Sequence, residues 1–226
     1  MKKLNIIILS ISLIGLLSNC KSYVIFKTSE KDAEIYINGT LKGKGVTEAV
    51  KLSKNQCVSI SASKTGFFPY TSKYCYARNN SSDAPIVYPI DLINDDAYDA
   101  SILTDYANKD FDVVINPKFS EEEAWKIISQ VVTGYFDNLE LTDKATGYLK
   151  TTWQTKSFTK KTIRTRIVVK QGNISPLKYK VKIISEEAVG SNQSVKDDDK
   201  FKEWDRILRV YEPLISEFQA RLGGSK

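Results

Sequence analysis

Apolar and polar residues alternate with period two over Tyr23 to Thr28 and again over Ala33 to Ile37, where Asn38-Gly39 supplies a hairpin turn signal. Val50 to Leu52, Cys57 to Ala62 and Ser72 to Tyr76 add three more short strand candidates, with Lys64-Thr65-Gly66 as punctuation between the last two. Further on, Ile86 to Ile93 and Phe111 to Ile115 have strand character. The period then changes. Ser120-Glu121-Glu122-Glu123 is a capping box, and Trp125, Ile128, Val131, Val132, Tyr135 and Phe136 recur on one helical face, with Gly134 weakening the last turn. A short strand at Leu139 to Leu141 leads into three alternating segments, Gly147 to Thr155, Thr162 to Lys170 and Leu177 to Ser185, which read as an antiparallel meander. A second helix is expected from Phe201 to Leu222, with Trp204, Ile207, Leu208, Tyr211, Leu214, Ile215 and Phe218 on one side and Pro213 kinking or dividing it.

Alternation in the meander assigns faces. Leu149, Trp153, Ile163, Ile167, Val169, Leu177, Tyr179, Val181 and Ile183 fall on the side that would carry the helices. The other side collects Lys150, Arg164, Arg166, Lys170, Lys178, Lys180 and Lys182. Like charges on neighbouring strands repel, so this face suits an anionic partner: lipid phosphates, lipopolysaccharide, or an acidic protein surface such as this chain's own acidic segment. The alternative is a solvated outer face with Asp and Glu from loops nearby.

Before all of these stands a different pattern. Lys2 and Lys3 precede a mostly apolar run of fourteen residues, Leu4 to Leu17, too short for the roughly 20 needed to cross a bilayer as a permanent helix but suited to the core of an export signal. The 207 residues from Cys20 onward suffice for two small domains. Two of the three cysteines, Cys57 and Cys75, lie on successive strand candidates, and an even pair in an exported chain points to a disulfide; two separate buried thiols are the alternative. Charge divides unevenly: Asp83 to Asp112 holds eight Asp opposed by Lys109, so residues 79–119 read as an acidic, partly ordered connector. Asp95, Asp96 and Asp99 lack the spacing and terminal Glu of an EF-hand, so a solvated loop is the better reading than a Ca²⁺ site. The chain has no His and its one Met is Met1, which excludes histidine-based triads and the common His-ligated metal sites. No phosphate loop or nucleophile elbow is present, no cofactor is implied, and an exported chain is a poor candidate for nucleic acid despite a pI near 9.0.

Three resemblances sharpen these expectations. Leu17-Ser18-Asn19-Cys20 resembles the bacterial lipobox, with Asn19 where Gly or Ala is usual. It implies a signal peptide over 1–19, acylation of Cys20 (palmitate among the chains) and a membrane tether, and Lys21 in place of Asp implies the outer membrane. Ala33-Glu34-Ile35-Tyr36-Ile37-Asn38-Gly39, then Gly43 and Lys64-Thr65-Gly66-Phe67, resemble a PEGA domain over 20–78, although Lys31-Asp32 replaces its Pro-Gly. It implies a small β-sandwich used for attachment, with Phe67, Phe68 and Tyr70 as a contact patch; these aromatics alternatively cover the end of a small core. Residues 120–226, with Trp125, the run Gly147 to Trp153 and Arg164-Thr165-Arg166, resemble the helix-grip domain of BamC-type outer-membrane assembly lipoproteins. The combined expectation is an α+β fold, a β-sandwich followed by an antiparallel sheet flanked by two helices. Function would be that of a non-enzymatic, periplasm-facing accessory module with envelope protein partners. A rival reading places a lipid or hydrophobic ligand between sheet and helices near Trp153, Tyr179 and Tyr211.

Overall fold

In the computed structural model, which describes residues 21–76 and 84–223, half of the chain is strand and 18% helix, a mixed α+β fold dominated by sheet. The chain divides after Asn94 into two units. The apolar leader, Cys20 and the start of the expected connector lie outside the described residues.

The first unit contains β1 (Lys21–Thr28), β2 (Glu34–Ile37), β3 (Thr40–Lys44), β4 (Val46–Thr47), β5 (Val50–Ser53), β6 (Cys57–Ser63), β7 (Tyr70–Cys75) and β8 (Ile86–Ile90). Asn38 and Gly39, both at positive φ, form the two-residue turn between β2 and β3. By its hydrogen bonds the domain expected as a sandwich is one sheet: β1 pairs antiparallel with β5 and β4, and the ladder continues through β3, β2 and β6 to β7. Gly45 carries the crossing. Its N–H donates to the Ala33 carbonyl and its own carbonyl accepts from Thr28, at 2.8 Å each, while its positive φ leaves no room for a Cβ beside the Lys31 backbone. The sheet curls until its ends meet. Phe26 on β1, fully buried, touches Tyr74 on β7 and Tyr88 on β8 edge-on at 5.6 and 5.7 Å, and the Tyr70 and Tyr88 hydroxyls are 3.1 Å apart. Val24, Ile35, Leu52 and Ile60 fill the enclosed space; each contributes about 1.5–3 kcal/mol through burial.

The second unit contains α1 (Asp96–Asp99), β9 (Ser101–Leu103), β10 (Asp110–Val114), α2 (Glu121–Tyr135), β11 (Leu139–Asp143), β12 (Tyr148–Thr151), β13 (Gln154–Ser157), β14 (Lys161–Ile174), β15 (Leu177–Val189), β16 (Lys202–Glu203), β17 (Arg206–Leu208) and α3 (Glu212–Leu222). Its main sheet runs β10-β15-β14-β12-β11, with β13 added to β14 and β16 to β15. The capping box forms: Ser120 accepts from the Glu123 N–H, and the Glu123 carboxylate accepts from the Ser120 N–H at 2.8 Å. Leu149, Ile163, Ile167, Val169, Tyr179, Val181 and Ile183 are buried in one core with Trp125, Ile128 and Val132 of α2 and Leu214, Phe218 and Leu222 of α3.

Three expectations need correction. The acidic connector is not a separate region. Ile86–Ile90 joins the first unit as β8, parallel to β1, whereas Asp95 onward belongs to the second, where β10 is an edge strand paired with β15 and β9 pairs with β17. Acidic side chains suggested solvent, yet Asp95, Asp110 and Asp112 meet cations of β14 and β15. The second helix begins at Glu212, not Phe201. Pro213 stands in its first turn, where a missing N–H costs nothing, and Phe201 to Tyr211 instead forms two short strands and a 3₁₀ turn. Finally, the strand expected from Gly147 to Thr155 breaks at Thr152-Trp153 into β12 and β13, and the break turns Trp153 away from the helices.

Cys57 and Cys75 face each other on β6 and β7 and are disulfide-bonded, closing a loop 18 residues apart in sequence. Replacing both by Ser should cost about 3 kcal/mol by the chain-entropy estimate, read as a lower denaturant midpoint for the first unit than in the oxidised protein. An unchanged midpoint would show that the bond adds no stability. Burial pushes Tyr179 up to about 12, and burial together with the nearby Asp137 carboxylate does the same for Tyr211. Because the folded values exceed the ordinary 10.0, the associated stability is complete below pH 10 and lost as pH rises toward 12. In an alkaline titration, the last phenolate absorbance should therefore appear together with the loss of circular dichroism; ionisation of every tyrosine near pH 10 with the fold intact would contradict this.

Candidate functional site

The outer face of the second unit's sheet carries all seven predicted cations. β14 and β15 are long antiparallel partners, with Arg164 opposite Glu186, Val168 opposite Lys182 and Lys170 opposite Lys180. On the far side of β14, Lys150 of β12 is also opposite Val168. Neighbouring strands lie about 4.8 Å apart and same-face residues on one strand about 6.8 Å apart. Arg166, Lys170, Lys150 and Lys182 thus surround Val168 along and across the strands.

These cations are held apart by carboxylates of the same unit. Asp112 on β10 contacts Lys178 at 3.1 Å and Lys180 at 3.8 Å, and Asp110 contacts Lys170 at 2.9 Å and Lys182 at 3.6 Å. Burial pushes the Asp110 carboxyl up, but the Lys170 hydrogen bond and the charges of Lys170, Lys182 and Lys180 prevail and hold it below the ordinary carboxylate value. At the opposite edge, Glu140 of β11 contacts Lys150 at 2.8 Å and Arg166 at 3.7 Å. Of the anionic surfaces considered from sequence, the chain's own acidic segment is the one that meets this face, through Asp110 and Asp112. Both were legible as acids alternating with Phe111 and Val113 on a strand candidate; what strand they would pair with was not.

Arg164 differs from the rest. It is only 4% exposed, and its guanidinium lies between the rings of Trp153 and Phe201, 4.3 and 4.1 Å from their centroids. Nε and Nη2 meet Glu186 at 2.6 Å, and Nη1 donates to Asp198 at 2.6 Å and the Val195 carbonyl at 2.7 Å. Arg166 also lies over the Trp153 ring, at 4.0 Å, so Phe201, Arg164, Trp153 and Arg166 form one cluster of rings and cations. Trp153, expected with the helices, is therefore on the cationic face. Arg164 is part of the fabric of the unit rather than an available contact.

The aspartates considered for Ca²⁺ have other work. Asp95 caps α1 with Oδ1 and takes the Lys161 ammonium at 2.9 Å with Oδ2, and Asp96 accepts from the Thr159 N–H and hydroxyl. Among the described residues no group of three or more His, Cys, Asp or Glu is arranged to hold a metal ion. Tyr179 and Tyr211, proposed with Trp153 as a ligand site, are packed inside: Tyr211 stacks on Phe136 at 4.9 Å and its hydroxyl donates to Gln154, while Tyr179 lies against Trp125. Trp153 is across the sheet from both, so the three do not line one cavity. Two hollows on the surface lie elsewhere, one of about 600 Å³ beside Asp32, Glu34 and Lys64, the other of about 490 Å³ beside Trp125, Gln130 and Lys144.

In the first unit, Phe67 and Tyr70 are half-buried and pack on its core. The Lys64 ammonium sits 5.0 Å over the Phe67 ring while bonding Glu30 and Asp32, and the Phe68 N–H donates to the Ile93 carbonyl. This placement fits aromatics that close the end of a core. Cys20, the predicted lipidation site, lies outside the described residues, and no described helix is long and apolar enough to cross a membrane.

Arg164→Ala would leave Glu186 and two ring faces without their partner and should destabilise the second unit by about 3 kcal/mol. Arg164→Lys should recover little, because an ammonium cannot reproduce the planar stack and fork. Chemical denaturation of the three proteins checks both, and full recovery by Lys would mean that charge alone matters there. No family model, curated protein or solved structure matches this chain.

Proposed function

We propose that this protein is an outer-membrane lipoprotein, tethered through lipid on Cys20 and facing the periplasm, that works as a non-enzymatic interaction module accessory to outer-membrane protein assembly. The Cys57–Cys75 disulfide carries the reading, because it suits an oxidising compartment and stands behind an apolar leader that ends in Leu17-Ser18-Asn19-Cys20. In this reading the first unit is a PEGA-like attachment domain and the second a helix-grip-like domain. The placement of α2 and α3 over one face of an antiparallel meander supports the latter. The opposite face is left to present ordered charge, and its work is binding rather than catalysis.

Metabolic labelling with a palmitate analogue in the native cell, followed by membrane fractionation, tests the tether. Label on the wild-type chain in the outer-membrane fraction, lost on Cys20→Ser, is the expected outcome; an unlabelled wild-type chain would overturn the reading. In-cell crosslinking then tests the accessory role, for which crosslinks to an outer-membrane assembly barrel are expected.

A further inference from the structure

On the outer face of the second unit's sheet, six of the seven cations outnumber the carboxylates they meet two to one in a regular way. Glu140, Asp110 and Asp112 each bridge two cations, one closely at 2.8 to 3.1 Å and one loosely at 3.6 to 3.8 Å. The loosely held members are Arg166, Lys182 and Lys180, one in each pair. Arg166 has in addition a buried Nε with no hydrogen-bond partner. Arg164 alone takes two further acids, Glu186 and Asp198, while Glu203 opposite Glu186 and Asp143 opposite Tyr148 stand at the margins of the same face. The positive excess is therefore local: Glu140, Asp110 and Asp112 order these six cations without neutralising them.

We infer that this face docks on the phosphate groups of an anionic lipid surface. Two features choose that partner over an acidic protein or a dissolved anion. Five of the six cations are lysines, a residue depleted from protein–protein interfaces, where aromatic and arginine anchors dominate. The cations also spread over strands β12, β14 and β15 instead of converging on one point, so the face matches many phosphates in a plane and not one phosphate in a pocket. Each lysine near such a surface strengthens binding about fivefold. The inference rests on the proposed lipid tether, which brings the face to a bilayer and makes weak individual contacts sufficient.

The test uses the full lipidated protein reconstituted into vesicles of phosphatidylcholine, with or without phosphatidylglycerol, and reads the acetylation rate of each lysine by mass spectrometry. Lys170, Lys178, Lys180 and Lys182 should react about fivefold more slowly on the anionic vesicles, while Lys126, exposed on α2, keeps its rate. Protection should disappear at about 1 M salt, where the Debye length is about 3 Å. The double variant Lys170→Glu, Lys182→Glu should lose protection at Lys178 and Lys180 while keeping the circular dichroism of the parent. Equal rates on both vesicles would overturn the inference, as would equal protection by dissolved inorganic phosphate. Protection seen in cells but on neither vesicle would overturn it in favour of an acidic protein. Flotation with pure phosphatidylcholine vesicles reports the tether separately: a chain that fails to float refutes the tether, whereas one that floats without anionic protection refutes only the docking face.

Discussion

The guanidinium of Arg164 lies between Trp153 and Phe201, with Glu186 and Asp198 taking its N–H groups, and the layout of the second unit depends on that arrangement. β14 is the strand to which β12, β13 and β15 all pair, and its residues Thr162 to Thr165 are buried on both faces. A buried cation in such a position is costly unless every donor is met and the flat faces are covered. Meeting those demands draws in Trp153 from the β12–β13 break, Phe201 from the segment before β16, and the carbonyl of Val195 from the loop between. One side chain therefore orders three stretches of backbone that have little regular structure of their own.

Charge pairing extends the same logic across the sheet. Asp110 and Asp112 on the β10 edge, and Glu140 on the β11 edge, reach inward to lysines and arginines on the central strands. Exposed pairs of this kind each add little to stability. Their larger effect is to separate like charges that would otherwise repel across β14 and β15, where Lys170 stands directly opposite Lys180. Order among the cations, rather than neutrality, is the result, and it is what a weak planar electrostatic contact requires.

The first unit solves a different problem. It is too small to rely on a large core. Its single sheet closes on itself through Phe26, Tyr74 and Tyr88, and the Cys57–Cys75 bond ties the last two antiparallel strands of that ladder. Gly45 lets the chain pass between β3 and β4 close enough for its backbone to bond both Thr28 and Ala33. The aromatics Phe67 and Tyr70 serve this closure.

Local chemistry was legible in the chain where a short stretch decides its own structure. The capping box at Ser120, the Asn38-Gly39 turn, the alternation that buries Ile163, Ile167 and Val181, and the pairing of Cys57 with Cys75 all depend on neighbours in sequence or on adjacent strands. Pro213 was read as kinking or dividing a longer helix, whereas it stands in the first turn of α3 and interrupts none. Tertiary structure decided what depends on distant partners. The acidic stretch looked like a connector because charge suggests solvent, and nothing local reveals that Asp110 and Asp112 will stand beside Lys170, Lys178 and Lys180, far along the chain. Trp153 was assigned by strict alternation, which fails where a strand breaks. Sequence by itself determined which residues were apolar, charged or capping; the fold determined which of the charges would face one another, because that energy exists only between groups brought together from far apart along the chain.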